Sequence, residues 1–378
     1  MTVSLKHPQV GIYRRSYPLA AEPFITEQVN HLARYQPHFV LTKLLKQISF
    51  THSSVSEQEW GGLKQLAHLL SRSPRLFPQT EALQKLALLH AHFGPDGVYA
   101  LPLAEHLNIP LLVTFHGYDI TLQPQSAWRS GRLFYYQLLL HQTQLQQRAA
   151  VFIAVSQFIR TRLLAQGYPA EKVIQHYIGV DIDKFTPAAC KPQQRYILCV
   201  GRHTAKKGID TLLRGFARIA PHYPEVVLLQ VGNGPLTRKL VSLTQKLGLE
   251  GRVHWLGFQP QKTVLQLMQG AEIFALPSQT AADGDSEALG IVFNEASACG
   301  IPIVATRHGG IPEAVLDGET GFLVAERAEA ELAEKLHLLL EDRSLGQQMG
   351  RRGREWVCDR FDLRRQTAQL ETIYDSLI

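Results

Sequence analysis

Residues 195–220 read RYILCVGRHTAKKGIDTLLRGFARIA. Tyr196 to Val200 is an apolar run ended by Gly201, the pattern of a strand buried on both faces. From Gly208 the period changes, and Ile209, Leu212, Leu213, Phe216 and Ile219 recur at helical spacing. A strand, a short basic loop and a helix follow one another without a break. Such an entry offers free backbone N–H groups and the positive end of a helix dipole, which suit an anion.

The same grammar runs outward in both directions. Downstream, EVVLLQVGNG, RVHWLG, IFALPS, IPIVAT and GFLV read as strands, with helices between them and helical tails over 329–343 and 345–358. Upstream, HPQVGIYRR, HFVLTKLL, LALLHAHFG, IPLLVTFHG, AAVFIAVS and KVIQHYIG read as strands, with helices over 24–35, 60–72, 80–89 and 131–148. Strands alternating with helices predict doubly wound parallel sheets. FTPAACKPQQR (185–195), with Pro187 and Pro192, reads as a linker. The expected class is α/β, with two Rossmann-like domains over 1–187 and 188–361. Ligands are expected at the carboxyl ends of the strands, facing a cleft.

Composition narrows the classes. A chain of 378 residues exceeds one ordinary core, and 45% hydrophobic content excludes wholesale disorder. No apolar run approaches the roughly 18 residues that span a bilayer. MTVSLKHPQVGIYRRSY lacks a signal-peptide apolar segment. Cys190, Cys199, Cys299 and Cys358 form no CxxC, so a disulfide scaffold or zinc finger is not expected, and a cytoplasmic location is. The net charge is +6. Lys+Arg against Asp+Glu is 17 to 11 over residues 1–187 and 22 to 22 over 188–378, and 11 of the 16 His lie in the first half. That asymmetry points to an acidic partner of the first half: anionic lipid, nucleic acid or a phosphorylated substrate.

The candidate site residues follow from strand ends. Gly201, Arg202 and Lys207 flank the basic loop, where Arg202 can fork onto phosphate oxygens and Lys207 can add a point charge. Gly232 and Gly234 in VGNGP mark either a tight turn or a close approach to a ligand. In SQTAADGDSEALGIVFNEASACG (278–300), Glu287 and Glu295 can accept hydrogen bonds from sugar or ribose hydroxyls. Glu295 is expected at a helix start, with the amides of Leu289, Gly290 and Ile291 open to a ligand. Asp283 and Asp285 have a metal-pair spacing, but no metal is expected. In the first half, His92 of HAHFG and His116 and Asp119 of FHGYD end predicted strands, where His can bind substrate or move a proton.

Together, HAHFG, TFHGYD, AVSQFIR, YIGVDIDKF, VGRHTAKKGID, VGNGP, SEALGIVFNEASACGIPIVATRHGGIPEAV and DGETGFLV resemble, in order, the retaining glycosyltransferases of family 4, with the GT-B fold. SYPLAAEPFITEQVNHL (16–32) is similar to the FPxxSETFI opening of the exopolysaccharide and colanic-acid subgroup, with Ala21 and Pro23 departing from it. Ala288 departs too, since the first Glu is usually followed by Gly. The resemblance implies a hexosyltransferase drawing on a UDP- or GDP-sugar, without a metal cofactor, and acting on a glycan or lipid-linked acceptor. It implies that Arg202 and Lys207 neutralise the leaving diphosphate and that Glu287 and the 289–291 amides hold the donor sugar. It further implies that Glu295 holds the ribose and that His116 lies near sugar and acceptor. Tyr17, Glu22, His92 and Asp119 fall on the acceptor side. The last helix, 362–378, is expected to return to the first domain. Another GT-B enzyme of the sugar-phosphate or sucrose synthase type is the alternative. A dinucleotide oxidoreductase lacks its GxGxxG, and a nucleic-acid module lacks a motif. The basic surplus, in Arg14, Arg15, Lys43, Lys46, Lys64, Arg72 and Arg75, then points to peripheral attachment at an anionic membrane face.

Overall fold

The computed structural model describes residues 7–17, 22–44, 62–78, 80–189 and 193–378. Ala21, Lys46 and Cys190 lie outside the described residues. The chain divides into two compact units, residues 1–179 with 363–378, and residues 180–362.

The first unit carries a parallel sheet of β1 (Gln9–Tyr17), β2 (Gln36–Leu44), β3 (Leu86–His92), β4 (Leu111–Phe115), β5 (Val151–Ala154) and β6 (Val173–Gln175), in the order β2-β1-β3-β4-β5-β6. The helix expected over 80–89 stops at Gln84, because Leu86 to His92 is almost wholly buried and pairs with β1 and β4 as a central strand. The helix Gly94–Leu107 lies close against β4: a Cβ on Gly97 would stand 2.8 Å from Val113, and one on Gly94 2.5 Å from Phe115. Glycine there lets the helix approach the sheet, and buried apolar contact is the main stabilising force.

The second unit carries β7 (Arg195–Val200), β8 (Val226–Val231), β9 (Val253–Gly257), β10 (Ile273–Leu276), β11 (Ile303–Thr306) and β12 (Gly321–Val324), ordered β12-β11-β10-β7-β8-β9 and all parallel. In both sheets the winding reverses once, between β1 and β3 and between β7 and β10. Loops leaving the carboxyl ends of those strands diverge there and leave room for a ligand.

The division falls at Gly179/Val180, earlier than the proline-bearing join. Residues 180–187 are held by the second unit. Val180 N–H bonds to Phe361 O at 2.7 Å, Lys184 Nζ to Gln261 Oε1 at 2.5 Å, and Arg354 Nη1 to Phe185 O at 3.0 Å. The helix Leu363–Asp375 belongs to the first unit. Leu370 and Tyr374 enter its core beside Val10, Ile12 and Phe39. The buried Glu371 carboxylate accepts the Ala33 and Arg34 backbone N–H groups at 2.8 and 2.6 Å. Tyr374 OH is paired with His90 Nδ1 at 2.7 Å.

Candidate active site

In the second unit, β7 ends at the reversal point and hands the chain to the loop Gly201–Gly208. Gly201 has room for the Lys207 stem, whose Cδ would lie 3.5 Å from a Cβ there. Gly208, at φ +59°, caps the helix Ile209–Ile219, and a Cβ on it would stand 1.9 Å from Pro277 O. This close crossing of the loops after β7 and β10 brings Lys207 to the β10 loop. Lys207 Nζ donates to Glu287 Oε2 at 2.8 Å, and both side chains are about nine-tenths buried. Lys206 Nζ donates to Asp285 Oδ1 at 2.9 Å. Burial works to raise the Glu287 carboxyl, but the Lys207 and Lys206 ammonium groups override it and hold it at about 2. Arg202 is exposed, and its guanidinium has no partner among the described residues.

Gly232 and Gly234 serve backbone against backbone. Their added Cβ atoms would stand 2.2 Å from Gly201 O and 2.7 Å from His203 O. Around them lies a group the sequence reading missed. The buried His203 ring lies 2.7 Å from Thr237 Oγ1 and 2.6 Å from Gln230 Oε1, while Gln230 Nε2 donates to Gly201 O at 2.9 Å. A polar Gln in an otherwise apolar strand was the available signal.

The segment after Glu287 turns at Gly290, φ +78°, into the helix Ile291–Ala298. That helix begins four residues before Glu295, so Glu295 sits on its second turn and not at its start. The reason is Gly290: its left-handed backbone ends the loop and sets the first turn. The Leu289, Gly290 and Ile291 N–H groups have no acceptor among the described residues, as expected of helix-start amides. Ala288 is 7% exposed, so its methyl group faces protein. Asp283 Oδ1 accepts the Asp285 N–H at 3.1 Å, and Asp285 holds Lys206, which gives both carboxylates work in the loop. Among the described residues no group of three or more His, Cys, Asp or Glu stands in metal-holding geometry.

In the first unit, β3 ends at His92 and His116 directly follows β4; their rings stack at 5.2 Å with His92 Nδ1 and His116 Nε2 3.0 Å apart. His90 stacks on His92 from below at 4.3 Å. Burial pushes all three imidazoles down, His90 to about 3, so the column is neutral. One ring of the His92–His116 pair donates and the other accepts. Either tautomer leaves one donor and one acceptor, at His92 Nε2 and His116 Nδ1, without a partner among the described residues. Phe93 is held at φ +76°, a strained value for a side-chain residue, and its ring lies 4.5 Å from His116. Asp119 anchors the turn. Its oxygens accept N–H bonds from Gly94 at 2.9 Å, His116 at 3.1 Å and Gly117 at 2.8 Å. Burial raises its carboxyl to about 6 against those bonds.

Tyr17 is packed in the core, 1% exposed and stacked on Phe39 at 5.2 Å, with its hydroxyl on Thr26. Glu22 Oε2 accepts Arg14 Nη2 at 2.5 Å, and Arg14 also reaches Asp96 Oδ2 at 2.5 Å and His92 O at 3.1 Å. Tyr17 and Glu22 therefore shape the end of β1. Arg14 and Arg15, read as surface charge in the sequence, are instead tied to the buried Asp96. The cause is that Asp96 opens the helix after β3 and is 1% exposed, so its charge requires partners.

Two family models match the chain, glycosyltransferase family 4 over residues 25–184 and glycosyl transferases group 1 over 182–356. A protein assigned as a colanic acid biosynthesis glycosyltransferase, WcaL of Escherichia coli K12, is 34% identical over 254 residues, 65% of this chain and 59% of that one. A GDP-mannose-dependent alpha-(1-6)-phosphatidylinositol monomannoside mannosyltransferase of Mycolicibacterium smegmatis is 34% identical over 59% of this chain and 61% of its own. The chain thus spans about three fifths of the length of these curated relatives. The crystal structure of Anabaena HepE in complex with UDP and glucose superposes with a TM-score of 0.78 at 23% identity, over 98% of this chain and 100% of that one, so the fold is GT-B. Two parallel sheets, each wound from one reversal point, and two family models that adjoin along the chain lead to one assignment: the chain belongs to the family 4, group 1 glycosyltransferases.

Proposed function

We propose that this protein is a retaining hexosyltransferase that moves a sugar from a nucleotide-diphospho donor to a glycan or lipid-linked acceptor in exopolysaccharide or cell-surface polysaccharide synthesis. The observation that carries the reading is the buried Lys207–Glu287 pair at the carboxyl end of β7, with the unpartnered Arg202 on the same loop. In the reaction the bond from the anomeric carbon to the diphosphate oxygen breaks, and a bond to the acceptor oxygen forms. The acceptor proton passes to the departing phosphate. Negative charge grows on the diphosphate, and fixed cations stabilise it without reorganisation. Arg202 supplies a planar fork and Lys207 an ammonium with three donors, one of them on Glu287. Glu287, ionised at neutral pH, accepts hydrogen bonds from the sugar hydroxyls, and the 289–291 amides add donors. Glu295 is assigned to the ribose. His116 is assigned to the acceptor side, and the buried His92, 3.0 Å away through Nδ1, backs its ring.

A sugar nucleotide donor is supported by the relatives, one of them GDP-mannose-dependent and one crystallised with UDP and glucose. The reading further places the first unit at an anionic membrane face. Helix Gly62–Ser71 exposes Leu63, Leu66 and Leu70 along one stripe, and the neighbouring helices Pro124–Arg129 and Leu133–Arg148 expose Trp128 and Leu140. Arg129 and Arg132, at the end of the second of these helices and just before the third, are exposed as well, and apolar side chains with basic neighbours suit an anionic interface. No helix among the described residues is long and apolar enough to cross a membrane. The donor reading is tested by thermal shift with UDP, GDP, ADP and their sugars. One base and its sugar raise the melting temperature, because a ligand that binds only the native state stabilises it. A flat response to all of them counts against the reading.

A further inference from the structure

Glu287 is gripped through its backbone as well as through its carboxylate. The loop after β11 passes Arg307, His308, Gly309 and Gly310 alongside it. The Glu287 N–H donates to His308 Nε2 at 3.0 Å, and the Gly310 N–H donates to Glu287 O at 3.1 Å. Gly309 makes room for this clasp, since a Cβ at its φ of +55° would stand 2.1 Å from Glu287 O. The bond to Nε2 fixes the ring's protonation, because a backbone N–H can only donate and Nε2 must therefore accept. The single imidazole proton then lies on Nδ1, which faces Glu326 Oε1 at 2.7 Å. Glu326 is itself held, accepting the Thr280 N–H at 2.8 Å and the Thr280 hydroxyl at 3.1 Å. His308 is 3% exposed, so water does not compete for either nitrogen.

We propose that His308, held by Glu326 as the Nδ1–H tautomer, is a positioning residue that fixes the Glu287 peptide and so aims the Glu287 carboxylate at the donor sugar. The proposal rests on the donor-site reading above. Lys207 draws one carboxylate oxygen toward the β7 loop, and the His308 clasp holds the other end of the same residue. With both ends fixed, the carboxylate presents its remaining lone pairs in one direction. A misaimed group at a reacting centre costs turnover out of proportion to its binding energy.

Hydrogen–deuterium exchange over residues 279–295, read in His308→Leu and His308→Gln, tests the clasp without any ligand. Loss of one buried hydrogen bond accelerates opening about fivefold, and that is expected at Glu287 in His308→Leu. His308→Gln restores protection, because its amide oxygen accepts the Glu287 N–H while its NH2 donates to Glu326. In the same variants, turnover of UDP-glucose or GDP-mannose, whichever the wild type uses, falls about tenfold or more in His308→Leu. Affinity for UDP or GDP alone stays within about twofold, because the clasp acts on the sugar end. Glu326→Gln, which keeps an acceptor oxygen, and Glu326→Ala, which does not, repeat the contrast if His308→Leu fails to fold. Unchanged exchange at Glu287 in both His308→Leu and Glu326→Ala overturns the proposal. Equal loss of nucleotide affinity and turnover overturns it too, since that marks general damage to the unit. A wild type that turns over neither sugar, with the exchange contrast intact, overturns the donor-site reading and leaves the clasp standing.

Discussion

Lys207 Nζ lies 2.8 Å from Glu287 Oε2, so the loops after β7 and β10 are joined by a buried ion pair at the reversal point of the second sheet. Breaking such a pair from one side leaves a charge without its partner, which costs about 3 kcal/mol. Lys207→Ala is expected to lose that much stability and about a hundredfold or more in turnover. Lys207→Met with Glu287→Gln removes both charges, and chemical denaturation should show most of the stability returning while turnover stays low. A double variant as unstable as Lys207→Ala would show that the pair's charges do not set the cost.

The depressed Glu287 carboxyl makes stability depend on acid. Its value falls from the ordinary 4.5 to about 2 in the folded chain, so the unfolded chain binds the proton first. The contribution is therefore complete above about pH 4.5 and is lost as pH falls toward 2. The shift corresponds to about 3 kcal/mol. Denaturation of Glu287→Gln across this window should lack that slope. An identical slope in wild type and variant would show that Lys207 and Lys206 do not hold the carboxyl down.

The first unit responds at milder pH and through different groups. Burial pushes down His38, His68, His90, His92, His116, His141 and His176, with His68 at about 4 and His90 at about 3. An imidazole kept neutral in the folded state but free to charge when unfolded supports stability above its unfolded value near 6.5 and loses it below. Between pH 7 and 5 the loss is about 2 kcal/mol for each fully neutral ring. Asp119, raised to about 6, works in the opposite sense over part of that range, but it is one carboxyl. Scanning calorimetry at both pH values is expected to show the first unit's transition moving down much further than the second's. Parallel movement of two transitions would contradict the neutral histidine column.

Gly208 tests the crossing of the loops. At φ +59° a side chain is strained, and a Cβ would stand 1.9 Å from Pro277 O, so one backbone must move. Gly208→Ala should cost about 2 kcal/mol or more and carry Lys207 away from Glu287. Gly318→Ala is the control, since its φ is also positive, +77°, but nothing lies within 4 Å of its Cβ. Equal losses in the two variants would attribute the effect to backbone angle alone.

Much of this was legible in the sequence because local signals and burial agree. The run Tyr196–Val200 and the helical spacing from Ile209 gave a strand and a helix where the chain has them, and the alternation gave two parallel sheets. The helix expected over 80–89 failed because the strand beginning at Leu86 is central, and burial on both faces removes the alternation that marks a strand. Lys207 and Glu287 could each be picked out, but their pairing could not, since it depends on a loop crossing set by Gly208 and Pro277. His308 lay within a quoted motif, but its bond to the Glu287 backbone N–H, 21 residues away, could not be read there. Arg14 and Arg15 were misread as surface charge because the buried partner, Asp96, is distant in sequence.

The most direct test of the account is transfer from the preferred nucleotide sugar by wild type, Arg202→Ala, Lys207→Ala and Glu287→Gln, with each variant's fold checked by its melting curve. Release of the nucleoside diphosphate should fall at least about a hundredfold in each folded variant, and the loss should sit in turnover more than in binding of the free nucleotide. Wild-type rates in Arg202→Ala and Lys207→Ala would contradict the assignment of the β7 loop to the leaving diphosphate, and with it the central claim.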